Sequence, residues 1–280
     1  MGARPVVQTV RGQATSDGAG VRLTRMIGTR TLDHVDPFLL LDEFRSDDAS
    51  DYLAGFPDHP HRGFETVTYM LAGEMEHRDH SGNQGRLTAG SVQWMTAGRG
   101  IIHSEMPKQR DGLMWGFQLW VNLPAKDKMC APRYQDIPPE RVPEVSWQGA
   151  RVRVIAGRLG ETEGPVRDIV TRPLYLDVAL EGGGRIDVPL AGDQSGFAYV
   201  FEGAVTLPGV GGDATLARGE LGLLGEGESV YATGGPGGGR FLLVAARPLR
   251  EPIARMGPFV MNTRSELMQA VSDLQSGSFL

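Results

Sequence analysis

The chain carries six histidines, His34, His59, His61, His77, His80 and His103, and all lie in its first half. Imidazole moves protons near neutral pH and, when neutral, ligates metals. Two short patterns stand out, His59-Pro60-His61 and His103-Ser104-Glu105. Alternate residues of an extended chain share a face, so each pattern can present both of its donors to one point. The same parity runs on from His59 and His61 through Glu65, Val67, Tyr69 and Leu71. It predicts one strand whose inward face holds the histidines and Glu65. Imidazoles with a carboxylate suit Fe(II), Mn(II), Ni(II), Co(II), Cu(II) or Zn(II). An isolated H-x-H can also be no more than a polar strand face, and it is the second pair that turns the reading toward a metal. His77 and His80 fall in an acidic, turn-rich stretch and are expected at a solvated hairpin end, while His34, beside Asp33 and Asp36, is expected to bond locally.

The elements that must bring these pairs together are strands. Thr66–Leu71, Val92–Ala97, Phe117–Leu123, Val152–Ala156, Leu174–Leu180, Phe197–Phe201 and Phe241–Ala245 are short runs rich in β-branched and aromatic residues. The 39 glycines and 18 prolines punctuate the chain between such runs, a pattern of sandwiches and barrels rather than of core helices. Tyr69-Met-Leu-Ala-Gly73 is echoed by Tyr199-Val-Phe-Glu-Gly203, and Leu87-Thr-Ala-Gly90 by Leu216-Ala-Arg-Gly219. The two offsets agree within one residue, which predicts a duplicated β-module joined by the proline-rich stretch from Pro132 to Pro143. Carried across the repeat, His59, His61 and Glu65 fall on Pro189, Ala191 and Ser195, and the second pair falls near Ala232 and Gly234. None of these can replace an imidazole, so the second module is expected to lack a metal and to serve structure or regulation. At the end, Thr263 and Glu266 form a capping box ahead of Leu267, Ala270, Val271 and Leu274, with Gly277 as a stop, which predicts one amphipathic helix over about 264–276.

A net charge of −6 and a pI near 5.6, with no basic run, argue against a protein that binds nucleic acid by neutralising phosphate. No stretch has a signal peptide's apolar core or the roughly 20 apolar residues of a membrane span. Cys130 is the single cysteine, which excludes an intramolecular disulfide. A cytoplasmic protein is the expectation.

The stretches Asp36–Phe44 (DPFLLLDEF), His59–Val67 (HPHRGFETV), Gln93–Gly100 (QWMTAGRG), His103–Pro107 (HSEMP) and Gly257–Thr263 (GPFVMNT) resemble pirins, a family of the cupin superfamily. The resemblance implies an all-β bicupin: two tandem double-stranded β-helix (jelly-roll) barrels and a short C-terminal helix. The corresponding division is a metal-binding cupin over 1–131, a linker over 132–145, a cupin without metal ligands over 146–250, and a tail over 251–280. The resemblance also implies one iron-type site, held by His59, His61, His103 and Glu105. In most cupins the glutamate at the place of Glu65 is a ligand, whereas in pirins the carboxylate of Glu105 takes that role. Iron(II) is the implied metal, with Mn, Ni, Co, Cu or Zn admitted by the donors. The implied activity is that of a flavonol (quercetin) 2,3-dioxygenase, in which Glu105 is the catalytic base and the small aromatic substrate reacts with O2 to release carbon monoxide. The alternative is a metal- or redox-sensing regulator, a transcriptional co-regulator or modulator of metabolic enzymes, working through a protein partner without direct DNA contact or a membrane.

Overall fold

The computed structural model describes residues 2–280. The chain forms two compact units that interleave along the sequence. One comprises 14–28, 36–139 and 249–280; the other comprises residues up to Gln13, 29–35 and 140–248. The first strand, β1 (Val6–Arg11), belongs to the latter unit.

The histidine-bearing unit contains β2 (Gln13–Asp17), β3 (Val21–Ile27), β4 (Phe38–Ser46), β5 (Phe56–His61), β6 (Phe64–Ala72), β7 (Met75–Asp79) and β8 (Gln84–Leu87). It continues with β9 (Val92–Thr96), β10 (Ile101–Pro107), β11 (Met114–Asn122) and β12 (Arg133–Ile137). Seven of these strands pair in the order β12-β9-β6-β11-β4-β3-β2, and four in the order β5-β10-β7-β8. The other unit carries β13 (Glu144–Trp147), β14 (Ala150–Ala156), β15 (Arg158–Leu159), β16 (Thr162–Glu163), β17 (Leu174–Leu180) and β18 (Arg185–Pro189). After these come β19 (Ser195–Gly209), β20 (Gly212–Ala217), β21 (Glu220–Leu224) and β22 (Ser229–Ala246). Its main sheet has the order β1-β21-β19-β22-β17-β14-β13, which matches the seven-stranded sheet position for position. The fold is all-β, a bicupin. The stretch 132–145 is itself structured, since β12 pairs with β9 and β13 with β14.

The repeat seen in the sequence reduces to one hydrogen bond made twice. The Gly90 N–H donates to the Met70 carbonyl at 2.8 Å, and the Gly219 N–H donates to the Val200 carbonyl at 2.8 Å. Both glycines have positive φ, 87° and 84°, a conformation in which a Cβ is strained.

The inward parity expected from His59 to Leu71 is broken. β5 and β6 lie in different sheets, separated by Arg62 and by Gly63 at φ 88°. On β6 it is Thr68 that reaches the cavity beside the histidines, and Val67 and Tyr69 do not line it. The tail adds β23 (Ala254–Met256), β24 (Phe259–Met261) and α1 (Arg264–Ser276), with the Thr263/Glu266 capping box formed and Gly277 in the left-handed conformation. Leu267 and Ala270 are buried and Val271 packs with them, whereas Leu274, expected on the same face, is exposed.

Candidate metal centre

β5 and β10 pair so that His103 lies opposite His59, and Ile101 opposite His61. Directly opposed residues of an antiparallel pair share a face, so the three histidines converge. One ligand atom from each of His59, His61 and His103 lies within 4.8 Å of the other two. The ring centroids stand 4.4 Å (His59–His103), 4.6 Å (His59–His61) and 5.1 Å (His61–His103) apart.

The donors fit a divalent cation. His61 and His103 are buried, and Nδ1 of His61 and both ring nitrogens of His103 have no hydrogen-bond partner. Orphaned buried nitrogens are costly unless something else satisfies them. Burial, and after it the neighbouring imidazoles, pushes the pKa of both rings well below the ordinary histidine value, which leaves neutral rings with lone pairs to donate. His59 Nδ1 lies 2.8 Å from the Pro57 carbonyl; an N–H donated there frees Nε2 for a metal.

Glu105 follows His103 on β10 after a bulge. It lines the same cavity but lies outside the 4.8 Å group. Its Oε1 is 3.0 Å from Thr68 Oγ1, which is also 2.6 Å from Oε1 of Gln118. One hydroxyl proton cannot serve both acceptors, so when Thr68 donates to Glu105 the Gln118 amide must turn its NH2 toward Thr68. Glu65 accepts from Thr96 Oγ1 at 2.7 Å and is absent from the cavity wall. Its burial pushes the carboxyl up to about 7.

His77 is not solvated: it is 1% exposed, opposite Glu105 on β7, and its Nε2 is 3.1 Å from Asp136. Burial drives the Asp136 carboxyl upward, but hydrogen bonds from His77 and Gln93 outweigh it and hold the group below its usual range. The turn signals of residues 79–83 belong past the end of β7: the hairpin bends after Asp79, and of the two histidines only His80 lies exposed beyond it. His34 pairs with Asp33 at 2.8 Å, as expected.

The pivot between the two sheets aims β5. The Arg62 guanidinium donates to the Arg99 and Phe279 carbonyls and to Asp273, and the Gly63 N–H donates to Gly98 at 2.8 Å. Buried Lys128 donates to the carbonyls of Gly63 and Val260 and to Asn122 Oδ1, at 2.7–2.9 Å. Neither Arg62 nor Lys128 announces itself in the sequence as part of a site. The cavity in front of the histidines measures about 590 Å³, with Trp120, Phe44, Phe56 and Leu40 among its walls. Trp120 lies 5.4 Å from the His61 ring and carries the Arg255 guanidinium 4.8 Å above its own.

In the second barrel, Ala232 lies opposite Ile186, and Val230 opposite Val188. These rungs match His103–His59 and Ile101–His61. The equivalents of His59 and His61 are thus Ile186 and Val188 rather than Pro189 and Ala191, because the segment before β19 is longer than the Arg62–Gly63 pivot. All four residues are buried in an apolar cluster.

Residues 20–121 match the Pirin family model, and residues 175–280 match the model of the Pirin C-terminal cupin domain. A pirin-like protein of Caulobacter vibrioides is 50% identical over the whole of both chains. A Pseudomonas aeruginosa protein provisionally named quercetin 2,3-dioxygenase is 50% identical over 98% of this chain and 97% of its own. The crystal structure of quercetin 2,3-dioxygenase from Acinetobacter baumannii superposes with a TM-score of 0.90 at 32% identity, covering 99% of each chain. With both family models matched and full-length relatives at this identity, the chain belongs to the pirin family of bicupins.

Proposed function

We propose that the protein is a metal-dependent dioxygenase of flavonols, with His59, His61, His103 and Glu105 holding one divalent ion, iron in the first place. The observation that carries this reading is the set of buried, partnerless nitrogens on His61 and His103, with His61 at the wall of a cavity of substrate size. The names of the Pseudomonas and Acinetobacter proteins support the substrate class. A bound ion would supply Lewis acidity toward the flavonol 3-hydroxyl and, if redox-active, electron exchange with O2. The chain's own part is positional and basic. Glu105, fixed by Thr68, takes the proton of the 3-hydroxyl. Trp120, Leu40 and Phe44 hold the flat rings and keep water from the reacting carbons. Both atoms of O2 enter the opened product, and one carbon of the heterocycle leaves as carbon monoxide.

Iron-reconstituted protein given quercetin in air should remove the flavonol absorbance and release carbon monoxide. His61→Ala should abolish both. Glu105→Gln should keep metal on the three imidazoles yet lose turnover; a wild-type rate in that variant would remove Glu105 from its role as base. Full metal occupancy without turnover across a flavonol panel would overturn the enzyme reading in favour of a metal- or redox-sensing regulator that works through a protein partner.

A further inference from the structure

One transverse row of the seven-stranded sheet is polar across six of its strands. Following the pairing register from β3 to β12, it reads Arg25, Asp42, Gln118, Thr68, Gln93, Asp136. The first four line the cavity. Thr68 touches Glu105 at the metal end. Asp42 lies two strands away, about 10 Å at the usual strand spacing. Its carboxylate is gripped by Arg25 through Nε at 2.8 Å and an Nη at 2.6 Å.

The fold does not require this row. The same rungs in the second barrel are Val154, Leu176, Leu243, Ala198, Gly222 and Thr9. Leu176 stands where Asp42 stands and Val154 where Arg25 stands, both in an apolar core. An ion pair that buries its carboxylate, as Arg25 does with Asp42 while also reaching Asp17, is no better for stability than well-packed apolar residues of its size, so the pair needs another reason to be there. Arg25 uses one lone pair on each Asp42 oxygen, and the carboxylate, buried at the cavity wall, retains acceptor capacity. Desolvation outweighs Arg25 and pushes the Asp42 carboxyl up to about 6, which marks a group that a further donor would stabilise.

We propose that Asp42, held by Arg25, determines specificity by accepting a hydrogen bond from a hydroxyl at the far end of the substrate. The cavity then selects flat, elongated polyphenols bearing hydroxyls at both ends. The inference rests on the flavonol reading of this cavity.

The test compares quercetin with 3-hydroxyflavone, which keeps the metal-binding hydroxyl and lacks the others. Binding to iron-loaded protein is followed anaerobically by tryptophan quenching, and turnover is then followed in air. The wild type should bind quercetin about tenfold or more tighter, the scale of one hydrogen bond to a charged group. In Asp42→Asn, which keeps a neutral acceptor, the ratio of the two Kd values should fall, and in a double variant Arg25→Val with Asp42→Leu that copies the second barrel and leaves no lone buried charge it should fall to near one. Wild-type protein that binds both ligands equally would overturn the inference, as would a ratio unchanged in the folded double variant. Discrimination without turnover would sustain the inference and sink the dioxygenase; binding of neither flavonol would sink both.

Discussion

The two barrels share strand order, rung register and even individual turn hydrogen bonds, yet they spend their interiors differently. Among the described residues, the buried polar or charged side chains of the second unit are Arg4, Thr171 and Asp177, whereas the first unit buries His61, His103, Glu105, His77, Gln93, Thr68, Asp42, Glu65 and Lys128 among others. Where His103 faces His59, Ala232 faces Ile186. Polar groups buried without partners destabilise a fold, and the second barrel shows that this architecture closes without them. The polar interior of the first is therefore the imprint of a site, and the apolar one is the scaffold.

The most direct way to break the contrast is to exchange its defining rung. His103→Ala should lower metal content sharply, read by elemental analysis after reconstitution, because it removes the imidazole that faces His59 and leaves two imidazoles and Glu105. The reciprocal Ile186→His with Ala232→His should bind no metal. It should also lower the unfolding free energy by at least about 3 kcal/mol, since two imidazoles would enter a core with no polar partner. A stoichiometric ion in the second barrel would show that the histidines suffice and the polar surroundings are incidental.

The next effect concerns the pivot that only the first barrel possesses. Lys128→Met removes one ammonium and orphans the carbonyls of Gly63 and Val260 and the Asn122 amide oxygen. At about 1 kcal/mol for each orphaned acceptor, denaturant titration should read a loss of about 3 kcal/mol. Metal affinity should fall with it, because β5 swings on Gly63. Unchanged metal affinity would mean that β5 is aimed by its pairing with β10 alone.

Much of this was legible in the sequence, and the parts that were not share a cause. The H-x-H and H-x-E pairs are local patterns, and so are the turn glycines of the repeat and the capping box at Thr263. The register of Asp42 against Gln118 and Thr68, the burial of His77 under Asp136 and the reach of Lys128 to the tail all join residues far apart in the chain. Strand parity also presumes one continuous strand. Gly63 resets it between His61 and Glu65, which is why Glu65 was expected on the histidine face and instead turns to Thr96.

Glu65 gives the smallest and sharpest test, because it separates a buried carboxylate on the cavity wall, Glu105, from one that is absent from it. Desolvation raises its folded pKa to about 7, against about 4.3 in an unfolded chain. Between those values the folded state holds the extra proton, so the contribution of Glu65 to stability is fully present below about pH 4 and is lost as pH rises through 7. The shift sets a ceiling of about 4 kcal/mol, at about 1.36 kcal/mol per pKa unit, and relaxation of the site should leave about 1–2 kcal/mol of it. Glu65→Gln has no proton to lose and keeps an acceptor for Thr96. Its stability relative to the wild type should therefore grow in its favour from pH 5 to pH 8, with metal content unchanged. A flat difference across that range would show Glu65 to be ionised in the fold, and loss of metal in the variant would return it to the ligand set that most cupins use.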